Sequence, residues 1–155
     1  NQILFYISIF ALLLGSVSSS LAATQTEEAN LNESELSIET AWARMPIGSN
    51  NNSAAYMKIT NPSAQPITIL GASASKVANN VELHKSYVDE QGVSRMAALD
   101  KLVIPANTTV NLSPNGIHIM LIDLKKTLEE GKEIEITLQI ENSKPIKCKA
   151  LVRNN

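Results

Sequence analysis

The feature that most limits how this chain can fold is a cadence. Short runs rich in Val, Ile, Leu and Thr recur from residue 36 onward. Turn chemistry stops each of them, at Asn50-Asn51-Asn52-Ser53, Asn61-Pro62-Ser63, Pro105-Ala106-Asn107, Ser113-Pro114-Asn115-Gly116 and Glu130-Gly131-Lys132. Runs of this length are short for helices and right for strands. The sequence predicts strands at Leu36–Arg44, Ala54–Thr60, Ile67–Ser75, Val81–Val88, Val93–Leu99, Thr108–Leu112, Ile117–Ile122, Ile134–Ile140 and Pro145–Val152. Strands this short and closely spaced pack as an antiparallel sandwich or small barrel. A turn or two near Lys125–Glu130 is the one helical candidate, and the run Lys125-Lys126 with Glu129-Glu130 reads as a solvated turn. The expected class is all-β, in a single domain, because 155 residues supply one core and not comfortably two.

Composition narrows the partners. An apolar fraction of 44% with 18% charged residues describes a folded globular chain. The near balance of 13 Lys+Arg against 15 Asp+Glu argues against nucleic acid, which usually demands a basic face. There is no Gly-rich phosphate loop and no Gly-x-Ser-x-Gly elbow. His84, His118, Asp89, Asp100 and Asp123 show no spacing that places a nucleophile, so no enzyme is expected.

The first residues read as an export signal. Ile3–Leu14 is an apolar run shorter than the ~20 residues that span a bilayer, and small residues follow as far as Ala23. The expectation is a signal peptide over residues 1–23, N-terminally incomplete because no basic segment precedes the run, with cleavage after Ala22 or Ala23. No Cys follows the run, so no lipid-anchored form is expected. Residues 24–35 are polar and read as a flexible leader, and residues 36–153 as the folded domain. Export implies an oxidising compartment, yet Cys148 stands alone and forms no internal disulfide. It falls in an apolar–polar alternation and is expected to be packed.

Two His and four Met can be placed completely. His118 and Met120 lie two apart in an extended segment and so share one face, while Ile117, Ile119 and Leu121 take the other, a natural core. His84 and Met96 flank the turn Asp89-Glu90-Gln91-Gly92. A five-residue loop from Val88 to Gly92, or a tighter loop plus one bulge, would set them directly opposite each other. A two- or four-residue loop without a bulge would separate their faces. Met45 and Met57 read as gap-fillers, and Trp42 as a core aromatic of the first strand.

Two imidazoles and two thioethers form a soft, neutral donor set. Thioethers are poor ligands for Ca²⁺ and Mg²⁺ and add nothing for Zn²⁺, whereas Cu(I) suits soft sulfur with imidazole. No thiolate lies near His84 or His118 in sequence, which disfavours a blue-copper electron-transfer centre and favours binding and handing over Cu(I). A reading from a different class remains open, an exported Ig-like adhesion or assembly module that holds no metal.

The chain resembles the periplasmic copper chaperones of the PCuAC family, whose pattern is His-Met, ten residues, Met, twenty-one residues, then His-x-Met. Here eleven residues separate His84 from Met96 and twenty-one separate Met96 from His118, and His118-Ile119-Met120 completes the pattern. The likeness extends through Ala41-Trp42-Ala43-Arg44, Ala54-Ala55-Tyr56, Val81-Glu82-Leu83-His84, Gly116–Leu121 and Leu128-Glu129-Glu130-Gly131. It covers roughly Ile38 to Arg153. The resemblance implies a cupredoxin-like β-sandwich or barrel with Cu(I) held by His84, Met96, His118 and Met120. It also implies delivery of copper in the periplasm to the dinuclear copper centre of cytochrome c oxidase, with a Sco-type thiol protein. Lys85 departs from the family, which often has Met there. As the strand neighbour of His84 it is expected to face away from the site.

Overall fold

The structure is a computed structural model that describes residues 36–154. The expected signal peptide and leader fall outside the described residues. Ten strands form: β1 (Ser37–Arg44), β2 (Ser53–Asn61), β3 (Ile67–Ser73), β4 (Ala78–Val88), β5 (Ser94–Leu99), β6 (Leu102–Ile104), β7 (Thr108–Asn111), β8 (Ile117–Leu124), β9 (Glu133–Ile140) and β10 (Ile146–Arg153). No helix forms among the described residues, and the segment expected to make a helical turn at Lys125–Glu130 runs as bends and a turn. The short β6 was not anticipated. Its three residues lie between Lys101 and Pro105, too few to show an alternation, and they are recruited by pairing with β3 through Ile67↔Ile104 and Ile69↔Leu102.

The strands form one sheet in the order β5-β4-β8-β2-β1-β10-β9-β3-β6, with β7 also on β2. Every pairing is antiparallel except β1 with β10, so the sheet is mixed rather than purely antiparallel. The all-β, cupredoxin-like expectation holds. Leu83 and Ile119 from one end of the order and Ile69, Ile136 and Leu138 from the other share one core. The sheet therefore wraps around its own apolar face, as a sandwich does.

Alternation explains which side chains enter that core. Along β9, Ile134, Ile136, Leu138 and Ile140 are buried while Glu133, Glu135 and Gln139 are exposed. Along β8, Ile119 and Leu121 are fully buried in the core, as expected, and each such side chain contributes roughly 1.5–3 kcal/mol of burial. Cys148 is partly buried against the same core on β10, and burial pushes its thiol up to about 11, which keeps it protonated and inert at neutral pH. Asn61, with no exposed surface, is satisfied by donating from Nδ2 to the carbonyls of Gln65 (2.8 Å) and Ile104 (3.0 Å), which pins the end of β2 to β6.

Candidate metal site

Three strands carry the expected donors on the face opposite the core. β4 and β8 pair with His84 directly opposite His118 and Glu82 directly opposite Met120. The two imidazole rings lie 5.9 Å apart, centroid to centroid. Strand parity thus brings His84, His118 and Met120 together. Lys85 points the other way and is exposed, as expected.

Met96 arrives with a different register from the one expected. β5 pairs with β4 through Ser86↔Met96 and His84↔Ala98, so Met96 is diagonal to His84 rather than directly opposite. The cause is the turn. Asp89 N–H donates to the Val93 carbonyl at 2.9 Å and Gly92 N–H to the Asp89 carbonyl at 2.9 Å, which leaves Glu90-Gln91-Gly92 as a three-residue loop. Gly92 sits at φ +77°, the left-handed bulge position of such a hairpin. The carboxylate of Asp89 caps the loop by accepting from the N–H groups of Gln91 (3.0 Å) and Val93 (2.8 Å). The hairpin centre moves from residue 90 to residue 91, an even change in pairing, so Met96 stays on the face of His84. A diagonal neighbour on one face lies about 7–8 Å away, within reach of a long thioether. Met96 is 58% exposed on the edge strand, while His118 is 3% exposed in the sheet interior.

Hydrogen bonds assign the tautomers. The Nδ1–H of His118 donates to the Gly116 carbonyl at 3.0 Å, which leaves Nε2 as the ring's lone pair. For His84 the pattern is reversed: Nε2–H donates to the Glu82 carboxylate at 2.8 Å, and Nδ1 is buried without a hydrogen-bond partner. Glu82 is in turn held by Asn80 Nδ2, which donates to its other oxygen at 2.6 Å. The hydrogen bond to His84 is the main reason the Glu82 carboxyl titrates below its ordinary value. A carboxylate behind a histidine in this way orients the ring and raises the basicity of its free nitrogen. Burial lowers the pKa of His118, with the charges of His84 and Arg44 acting in the same direction, so its ring is neutral at physiological pH.

The site continues across the sheet as an aromatic stack. Tyr56 lies 6.3 Å from His118, and Trp42 lies 4.5 Å from Tyr56. Two guanidinium groups cover the stack: Arg44 sits 5.7 Å from the Tyr56 ring centroid and Arg153 3.9 Å from that of Trp42. Trp42 is therefore not a core residue, contrary to the sequence expectation. A bulge between Glu39 and Trp42, with Thr40 at φ +49°, reverses the parity of β1. Ile38 before the bulge and Ala43 after it both face the core, which turns Trp42 outward onto the site face.

Met45, Met96, Met120 and His118 line a cavity of about 190 Å³, together with Arg44 and Tyr56. Met57 is a core residue at 2% exposure, as expected of a gap-filler. Sequence reasoning gave no role to Glu82, Tyr56 or Arg44. The signal for Glu82 was the same two-residue spacing that links His118 to Met120. Among the described residues no group of three or more His, Cys, Asp or Glu is arranged to hold an ion, and the imidazoles and thioethers share this face with the Glu82 carboxylate, which is engaged by His84.

Comparison with known proteins places the chain. The family described as "Putative lipoprotein LpqE-like" matches residues 36–152, and the chain belongs to that family. A putative lipoprotein of Leifsonia xyli subsp. xyli, Lxx21020, is 30% identical over 105 residues, 68% of this chain. The match spans 61% of the Leifsonia protein's length. Among solved structures, the copper-bound PCuAC domain from PmoF2 superposes with a TM-score of 0.67 at 24% identity, covering 79% of this chain and 96% of that domain. The solution structure of CuI-DR1885 from Deinococcus radiodurans gives 0.61 at 30% identity, covering 86% and 87%. The fold is that of the PCuAC domains, as the sequence resemblance implied.

Proposed function

We propose that this protein is an exported carrier of Cu(I), a metallochaperone rather than an enzyme, with His84, Met96, His118 and Met120 as its ligands. One observation carries the reading. Two histidines face each other across adjacent strands, each with one nitrogen engaged by a protein acceptor and the other left as a lone pair, beside two thioethers on the same face. Such a donor set is soft and neutral, and suits a monovalent soft ion above hard divalent ones. The likeness to the CuI-DR1885 structure, at 30% identity, supports the same ion. The edge position of Met96 supports handover, because an exposed ligand can be exchanged for one from an acceptor while the buried His118 still holds the ion. The acceptor proposed, on the family resemblance, is the dinuclear copper centre of cytochrome c oxidase, with a Sco-type thiol protein as co-worker in the periplasm.

The test is an anaerobic Cu(I) titration against a chromophoric chelator. The wild-type chain is expected to withdraw one equivalent. The His118→Ala/Met120→Ala variant is expected to withdraw none while keeping its β-type far-ultraviolet circular dichroism. Retained affinity in the folded variant overturns the ligand assignment. No uptake by the wild type leaves the metal-free adhesion module as the better reading.

A further inference from the structure

Three of the four methionines in the sequence converge on one concave space. Met96 and Met120 belong to the proposed ligand set, and the third, Met45, enters from the segment joining β1 to β2. We propose that the Met45 thioether is an alternate sulfur ligand for the ion carried in this cavity, exchanging with Met96 so that the ion never has more than four donors. The inference rests on the Cu(I) reading above.

Position is the first support. Pro46 follows Met45 and disfavours helical backbone at it, and the Met45 N–H donates to the Arg153 carbonyl at 3.1 Å. The far end of the same segment is fastened as well. Asn51 Nδ2 donates to Asp123 Oδ1 at 2.9 Å, the Asp123 N–H donates to Asn52 Oδ1 at 3.0 Å, and the Leu124 N–H donates to the Asn51 carbonyl at 2.9 Å. The Ser53 hydroxyl donates to the Arg44 carbonyl, one residue before Met45. The segment is thus tied to β10 at one end and to β8 at the other, and Met45 is held at the wall of the cavity.

Packing is the second support. A thioether that serves only as filler flows into the gap beside it, since Met is unbranched and adapts to irregular space. Met57 does this in the core at 2% exposure. Met45 packs partly against the core and at the same time lines the solvent-open cavity of about 190 Å³ that His118, Met120 and Met96 share. A cavity of that size next to a flexible soft donor and a buried imidazole is room for an ion.

Chemistry is the third. Met96 sits on the edge strand and is the ligand most easily given up to an acceptor. With Met45 on the same cavity, the ion keeps a second sulfur beside Met120 when Met96 leaves.

The experiment uses the full chain labelled with [methyl-¹³C]methionine, titrated anaerobically with one equivalent of Cu(I) and followed by the methyl resonances. The expected result is that the Met45, Met96 and Met120 methyls shift together while the core Met57 methyl does not move. Alongside it, Met45→Leu keeps the packing volume. It is expected to weaken Cu(I) binding by about ten-fold, or about 1.4 kcal/mol, with unchanged thermal stability of the metal-free chain. A Met45 methyl that stays still while those of Met96 and Met120 shift, with Met45→Leu binding as wild type, overturns this inference and leaves the four-ligand reading standing. If no methyl moves and the wild type fails to compete for Cu(I), the Cu(I) reading falls and this inference falls with it.

Discussion

Glu82 does for His84 what the Gly116 carbonyl does for His118: each occupies one ring nitrogen and so decides which nitrogen keeps a lone pair. The two are not equivalent. A backbone carbonyl cannot be removed by mutation, whereas Glu82 lies on the partly exposed face of β4 and can be changed without opening the core. Glu82→Ala is expected to weaken Cu(I) by about 10- to 100-fold, as loss of an outer-shell partner does. Glu82→Gln should recover part of that loss, because its amide oxygen still accepts from Nε2–H. Chelator competition with the two variants and wild type checks the ordering. Equal affinity in all three would separate the carboxylate from the site. His118 and Met120 were readable as sharing one face because strand parity alone places them, whereas the register that sets His84 opposite His118 joins two strands distant in sequence and carried no local signal. Glu82 obeyed the same parity but carried no soft-donor chemistry to single it out.

Elements decide what parity cannot. The place of Met96 depends on the turn, and the turn depends on Gly92 at φ +77°, with Asp89 closing the loop around it. A Cβ at Gly92 would meet no atom within 4 Å, so the cost of Gly92→Ala is purely the left-handed backbone, roughly 1–2 kcal/mol. The expected outcome is a folding stability lower by that amount, with Cu(I) affinity lowered if the hairpin relaxes to a shorter loop that turns Met96 to the other face. Urea melts and the chelator assay on the same variant measure the two effects separately. The sequence suggested a hairpin centred on residue 90, or one whose register is shifted by a single residue, and did not anticipate the centre at residue 91. β1 holds the harder case. Its bulge at Thr40 carries neither Gly nor Pro to mark it, so nothing in the sequence showed that Trp42, read as a core aromatic of the first strand, would turn outward while Ala43 enters the core.

At the scale of the whole molecule, stability and site are coupled through His118. Burial lowers its pKa below the ordinary 6.5, so the folded chain resists a proton that the unfolded chain accepts. The sign follows directly. Between the lowered folded value and about 6.5 the unfolded state binds more protons, so stability is full above that window, falls as pH drops through it, and is level in this group below it. Glu82 acts in a separate, more acid window, since its lowered carboxyl gives stability above its ordinary 4.5 that is lost below. Thermal melts of the metal-free chain between pH 8 and 5 should show the first slope, and His118→Gln should flatten it. An equal slope in the variant would assign the acid sensitivity elsewhere. The fold itself was readable at this scale because turn residues punctuate the strands. The parallel β1–β10 pair was not, since it joins strands from the two ends of the described chain and no local signal marks it.

The aromatic stack has one further consequence, and it is practical. Trp42 is the single indole in the sequence, in ring contact with Tyr56, which in turn neighbours His118. The proposed site therefore comes with its own gauge of occupancy. With the ligand set proposed above, an ion arriving at His118 would change the surroundings of the one fluorophore that dominates ultraviolet emission. Loading, and unloading to an acceptor that has no tryptophan of its own, can be followed in real time by the brightness and colour of that emission, with no dye attached.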